Sequence, residues 1–215
     1  MRYLITPGQV QFFQEHGFIA FEEIAVVDGA LDACASHTSF DALHNLFHTS
    51  SRMEKLSTSR RCAHIARDLL NMKTPHLRLL FDQAFLDRCP PPPPLQIPVK
   101  LSLLSPFQGL CLLLLIRIGS SLPDGALEEQ KTTLPTEVIP LSSLPKKSGD
   151  ALFFHPDQEI QLFHPSCALG DFLLIGYGAL RTLYRKNTKS LFPNHLMSKY
   201  QPGDLVGQED CPLLF

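Results

Sequence analysis

Lys147-Ser148-Gly149-Asp150-Ala151-Leu152-Phe153-Phe154-His155-Pro156 and, further on, Gly170-Asp171-Phe172-Leu173-Leu174 decide how this chain is read. A short apolar run bounded by Gly, Asp and Pro has the length and punctuation of a strand buried on both faces. From 149 to 200 the sequence therefore reads as strands over 151–155 and 160–163, a turn at Gly170-Asp171, and a strand over 172–177. A basic loop then leads to a last strand over 191–200. Working back from this block, residues 97–104, 109–118 and 137–141 have the same character, and 120–136 is polar and loop-like. Short strands broken by Pro, Gly and Ser turns predict a jelly roll or barrel.

Ahead of the strands the period changes. Thr6-Pro7-Gly8-Gln9 is a helix start: Thr6 caps, Pro7 occupies the first helical position, and Gln9 completes a capping box. Val10, Phe12, Phe13 and His16 make a stripe, and Gly17 supplies the left-handed stop. Phe18-Ile19-Ala20-Phe21 then turns extended. Over 28–88 the spacing is helical, with Phe40, Leu43, Leu46 and Phe47 on one face and Ile65, Leu69 and Leu70 on another. Thr74-Pro75 caps a third helix carrying Leu77, Leu80, Phe81 and Phe85. Five prolines at 90–94 form a stiff polyproline II spacer. The division expected is a helical part over 1–89, a joint over 90–96 and a strand-built part over 97–215, integrated into one domain.

Composition sets the bounds. The chain of 215 residues is 44% hydrophobic and 19% charged, an ordinary globular balance with ample material for a core. A formal net charge of −2 gives no global pull toward nucleic acid or anionic membrane. The six cysteines form no C-x-x-C pair and read as thiols of a reducing compartment. Residues 1–4 show no apolar leader, so a cytoplasmic protein is expected. The most apolar window, 101–118, is interrupted by Pro106, Gln108, Gly109 and Arg117. The remaining run is a strand long, where a membrane-spanning helix needs about 20 residues.

The capped helix followed by Gly-Phe-Ile, the strand 147–156 and the Gly170-Asp171 turn together resemble the Fe(II)/2-oxoglutarate-dependent oxygenases of the phytanoyl-CoA dioxygenase type. Ser105-Pro106-Phe107-Gln108-Gly109-Leu110 is similar to that family's apolar-His-Gln-Asp-apolar segment, with Phe107 in place of the His and Gly109 in place of the Asp. The resemblance implies a double-stranded β-helix, a cupin-like jelly roll of α+β class flanked by N-terminal helices. It also implies a site of two imidazoles and one carboxylate on Fe(II), leaving three positions for 2-oxoglutarate and O₂. On it Arg181 stands at the second iron His, Asn187 near the family Asn, and Asn194 near the Arg that pairs with the far carboxylate of 2-oxoglutarate. Tyr200 stands near the strand-ending Tyr. Neither Phe107 nor Gly109 can ligate through a side chain, Arg181 repels a cation, and Asn194 cannot neutralise a carboxylate. The expectation is a non-catalytic or divergent relative with no cofactor and with a vestigial pocket at Phe107, Gly109, Arg181 and Asn194. The same outline is similar to small chlamydial proteins described as divalent-cation-dependent regulators. That resemblance implies a DNA-binding repressor, for which no helix-turn-helix pattern is clear.

Other groups carry chemistry of their own. His155-Pro156-Asp157 is a literal H-x-D and, with His195 or His164, could make an Fe(II) and 2-oxoglutarate site; the bland alternative is polar groups beside a turn. His44 and His48 have the i, i+4 spacing of a metal pair on a helix but lack a nearby third ligand. Arg181, Arg185, Lys186 and Lys189 form a basic cluster that reads either as a solvated loop or as an anion site accepting carboxylate or phosphate. Lys55, Arg60, Arg61 and Arg67 are interleaved with Glu54 and Asp68 and read as a solvated helix face rather than a nucleic-acid contact. The partner expected is a small anion or a protein, with nucleic acid and membrane disfavoured.

Overall fold

The computed structural model describes residues 4–72, 76–120, 138–162, 169–187, 189–190 and 198–215. Helix α1 (Pro7–His16) begins as its sequence dictates. Thr6 Oγ1 accepts the Gln9 amide at 3.2 Å and Gln9 Oε1 accepts the Thr6 amide at 2.9 Å. Gly17, at φ 76°, returns its N–H to the Phe13 carbonyl at 2.7 Å and ends the helix. Of the expected stripe only Phe13 is buried; Phe12 is exposed and stacks on His16.

Strand β1 (Phe18–Phe21) follows, then α2 (Ala30–Cys34), two single-turn 3-10 helices at Asp41–Leu43 and Leu46–His48, α3 (Ser51–Ser57) and α4 (Arg60–Leu69). Cys62, Ala63, Ile65, Ala66 and Leu69 make the buried face of α4. The third helix expected over Leu77, Leu80, Phe81 and Phe85 is instead strand β2 (Leu77–Phe85), and all nine of its residues are buried. A strand covered on both faces carries apolar side chains at odd and even positions alike, so its spacing can mimic a helical period. The proposed cap, Thr74-Pro75, lies outside the described residues. The polar members of β2 are partly satisfied across the fold: Arg78 donates through Nη1 to the Cys211 carbonyl at 2.6 Å, and Gln83 through Nε2 to that of Phe40 at 3.1 Å.

The prolines do not stay extended. Pro92 has φ −60° and ψ 155°, but Pro93–Leu95 closes a 3-10 turn that drives Leu95 into the core. Of the strand expected over 97–104, β3 covers only Val99–Lys100, and Leu101–Leu103 winds into another 3-10 turn. Strand β4 (Phe107–Arg117) and β5 (Ala151–Phe154) agree with expectation, while β6 (Glu159–Ile160) is shorter. At 137–141 only Val138 makes a bridge, to Glu159. Strand β7 (Phe172–Tyr184) runs well past Tyr177, so Arg181 stands in a strand and not in a loop. Most of the strand expected over 191–200 lies outside the described residues, and 198–200 is not extended.

Five strands form one antiparallel sheet in the order β1-β5-β4-β7-β2, and β3 pairs with β6 in a second, small one. The strands at 18–21 and 77–85 thus share a sheet with those beyond the prolines. Side-chain alternation splits the core in two. Leu112, Leu114, Ile116, Leu173, Ile175 and Tyr177 face the layer of α1, α3 and α4. Leu113, Leu115, Phe172 and Leu174 face inward to Leu101, Leu104, Ile160 and Leu162, around the small sheet. Among the described residues no helix is long and apolar enough to cross a membrane.

Two buried polar devices hold this frame. Gly149, at φ 87°, lets the Ala25 carbonyl approach where a Cβ would stand 2.6 Å away. Beside it, Asp150 accepts the amides of Glu23 (3.0 Å) and Lys147 (2.8 Å). At the same end of β4, where the Arg117 amide meets the Asp150 carbonyl at 3.0 Å, Arg117 is 1% exposed and donates to the carbonyls of Pro145 (2.7 Å), Ser120 (3.1 Å) and Leu169 (2.6 Å). Its guanidinium lies 4.6 Å from the centroid of the Phe172 ring. Gly170, at φ 96°, is the residue that lets it pass: a Cβ there would sit 2.1 Å from its Nη1. The Gly-Asp turn is therefore a seat for a buried arginine.

Candidate functional site

Strands β4 and β7 are the longest ladder in the molecule, and their far end gathers the residues singled out in the sequence. Phe107 pairs with Tyr184 and Gln108 with Leu183, and the register slips between Gln108 and Leu110 and again before Leu112. Gly109 occupies this bulge at φ 106°, and a Cβ on it would lie 3.1 Å from Thr182 Oγ1 and 3.2 Å from Thr182 Cα. Phe107, Gly109 and Arg181 are thus brought to one end of one strand pair. Asn194 lies outside the described residues.

What these positions present is apolar or turned outward. Phe107 is buried and its ring lies parallel to that of Phe81, at a 4° interplanar angle and 6.3 Å between centroids. Phe81 in turn rests on Gly176, where a Cβ would meet its ring at 2.3 Å. Gly178 takes the Gly109 carbonyl, 3.0 Å from its would-be Cβ. The two glycines of Gly176-Tyr177-Gly178 therefore make room for an aromatic plug and a close backbone approach. Arg181 points to solvent.

The literal H-x-D is tied to neighbouring elements. The His155 ring packs on Phe13 at 4.6 Å, and its backbone N–H reaches the Gly17 carbonyl at 2.9 Å. Burial pulls its pKa down, partly offset by the Cys111 backbone and by Asp157. Asp157 accepts the Ser102 hydroxyl at 2.6 Å. His195 and His164 lie outside the described residues. His44 and His48 do not share a helical face: His44 falls between the two 3-10 turns and bridges to Gln83, while His48 Nε2 lies 3.3 Å from the Asp210 carbonyl.

The basic cluster is unevenly committed. Arg185 donates through Nε to the Ser105 carbonyl at 3.1 Å and through Nη2 to that of Ser102. Asn187 donates to the carbonyls of Leu103 (2.8 Å) and Ser105 (3.1 Å). These two side chains cap the 101–105 turn; Arg181, Lys186 and Lys189 are exposed.

Neither a family model nor a curated protein sequence matches the chain. Solved structures do. The non-heme α-ketoglutarate-dependent carbocyclase SnoK from nogalamycin biosynthesis superposes with a TM-score of 0.68 at 13% identity, over 98% of this chain and 97% of that one. The epimerase SnoN of the same biosynthesis gives 0.66 at 15% identity, over 98% and 100%. This is the fold of the 2-oxoglutarate-dependent oxygenases. CT296 from Chlamydia trachomatis matches 83% of this chain and 97% of its own at 19% identity, but a TM-score of 0.47 is too loose to support an argument.

An oxygenase of this fold needs donors for Fe(II), and the residues at the β4–β7 end do not fit one. A phenyl ring has no lone pair to give, Gly109 has no side chain and a backbone conformation that disfavours one, and a guanidinium carries the ion's own charge. Among the described residues no three His, Cys, Asp or Glu side chains are grouped so as to hold a metal.

Sequence reasoning missed Arg117 and Asp82. Asp82, in the middle of β2, accepts the amides of Leu46 (2.6 Å) and Phe47 (3.1 Å) and the Ser57 hydroxyl (2.7 Å). Burial pushes its carboxyl up to about 6, against the pull of these donors. The available signal was a charged residue inside an otherwise apolar run, at 82 and at 117 alike.

Proposed function

We propose that this chain is a non-catalytic or divergent relative of the Fe(II)/2-oxoglutarate oxygenases, built on a double-stranded β-helix and serving to bind a ligand or a partner. One observation carries the reading. The three positions that the family resemblance assigns to iron converge in space, yet they hold the Phe107 ring stacked on Phe81, a bulge glycine at positive φ, and an exposed arginine. A side chain at 109 would need that bulge rebuilt, so the change extends to the backbone and is more than a swap of ligands. The free thiols of Cys34, Cys62, Cys89, Cys111 and Cys211 fit a reducing, cytoplasmic setting.

The reading is tested by incubating the protein aerobically with Fe(II), ascorbate and 2-oxoglutarate and measuring succinate. Release no greater than that of the protein-free control is expected. Succinate formation that depends on both Fe(II) and protein would overturn the proposal, and its loss in His155→Ala would move the site to the literal H-x-D.

A further inference from the structure

Away from the strands, the basic residues of α3 and α4 are mostly exposed, as their sequence suggests, but three of them gather in one place. Arg52, Lys55 and Ser59 recur at helical spacing, and with Arg61 they line one groove of about 480 Å³ between these helices and residues 24–28. Ile24 and Val26 supply its apolar floor, and Val26 is 73% exposed. Of the two acids interleaved in sequence, Glu54 is not in the lining, and Asp68 accepts from Arg67 at 2.7 Å instead. Asp28 is the one acid among the lining residues, set against three cations.

Two of the guanidinium groups are held in place before any ligand arrives. Arg52 crosses Gly29, where a Cβ would come within 2.6 Å of Nη1, and pairs with Asp32 at 3.2 Å. That pair is well exposed on both sides, so it orients the side chain while costing little to exchange. Arg61 donates one Nη1 bond to the Ile24 carbonyl at 3.3 Å, which leaves the rest of its fork for a ligand. Two forked guanidinium groups and an ammonium lining one groove with an apolar floor suit tetrahedral oxyanions attached to a partly apolar body. A groove of this size falls in the range of small-molecule sites.

We propose that this groove binds a phosphate-bearing small molecule, through Arg52, Lys55 and Arg61 on its anionic end and Val26 on its apolar end. The inference rests on the reading of the chain as a ligand-binding protein and locates the site outside the old barrel mouth. The test is titration of the full-length chain with inorganic pyrophosphate at fixed ionic strength, by calorimetry and by amide chemical shifts. Saturable binding is expected, weakened at least tenfold in Lys55→Gln/Arg61→Gln, with sulfate binding much more weakly. Both side chains are exposed, and circular dichroism checks that the variant folds. No saturation at millimolar pyrophosphate, equal affinity in the double variant, or no preference over sulfate would each overturn the proposal. Tight binding of single-stranded RNA that pyrophosphate does not displace would also overturn it, in favour of a macromolecular ligand. Because succinate release reports on the barrel alone, the failure of the groove and the failure of the lost-metal reading give different results.

Discussion

Replacing Arg117 by Met removes the one side chain that closes three loops at once. The Pro145 and Leu169 carbonyls it serves are buried and the Ser120 carbonyl is half-buried. An acceptor left unpaired in a buried site costs about 1–3 kcal/mol. Three such acceptors, together with loss of the contact on Phe172, are partly offset because Met need not desolvate a charge. The balance is a destabilisation of about 3 kcal/mol, a large share of the ~5–15 kcal/mol that holds a domain together. With a urea slope of about 2 kcal/mol/M, the midpoint falls by about 1.5 M. The chain has no Trp, so the transition is followed by far-ultraviolet circular dichroism. Arg117→Lys keeps the charge without the fork and is expected to recover less than half of the loss. Gly170→Ala aims its methyl at the same guanidinium, so its cost and that of Arg117→Met should be strongly non-additive. A shift below about 0.5 kcal/mol for Arg117→Met, or full additivity with Gly170→Ala, would refute the reasoning.

Three further outcomes follow from buried groups. The Tyr177 hydroxyl is fully buried with no hydrogen-bond partner among the described residues, so Tyr177→Phe should be neutral or stabilising by up to about 1 kcal/mol in the same urea assay; a loss beyond about 1 kcal/mol would reveal a partner. Asp82 has its carboxyl raised to about 6 from an ordinary 3.8, so the folded state holds its proton more tightly and stability is lost as pH rises through that window. The stability of the wild type relative to Asp82→Asn should therefore fall by about 2 kcal/mol between pH 4 and pH 7, and a relative stability that rises with pH would contradict the assignment. Gly176→Ala drives a methyl into the Phe81 ring and should cost about 1–3 kcal/mol, with partial rescue by Phe81→Leu; an unchanged melting curve would mean that the plug is not packed against β7.

Much of this was legible in the sequence, for physical reasons. The capping box at Thr6 and Gln9 and the stop at Gly17 are local chemistry and fix α1 to the residue. The strands expected over 109–118, 151–155 and 172–177 announced themselves as apolar runs between turn residues and stand as β4, β5 and the first part of β7. Strand β2 did not, because a strand buried on both faces has no clean alternation and its Leu and Phe positions also fit a helix. The extension of β7 past Tyr177 was hidden because Gly178, Arg181 and Thr182 interrupt the apolar pattern where the ladder leaves cover. At the site, the family resemblance brought Phe107, Gly109 and Arg181 into relation, and the β4–β7 register sets them at one end of a strand pair. The positive φ of Gly109, the seat of Phe81 on Gly176 and the sorting of Arg52, Lys55 and Arg61 into one groove are tertiary facts. No spacing along the chain encodes them.

The central claim is that the β4–β7 end no longer holds a metal. It is tested most directly by anaerobic calorimetry of the purified protein with Fe(II) or Mn(II), with and without 2-oxoglutarate. The account predicts no saturable heat at concentrations where a three-ligand site would fill, whether or not 2-oxoglutarate is present. Stoichiometric binding strengthened by 2-oxoglutarate would contradict it.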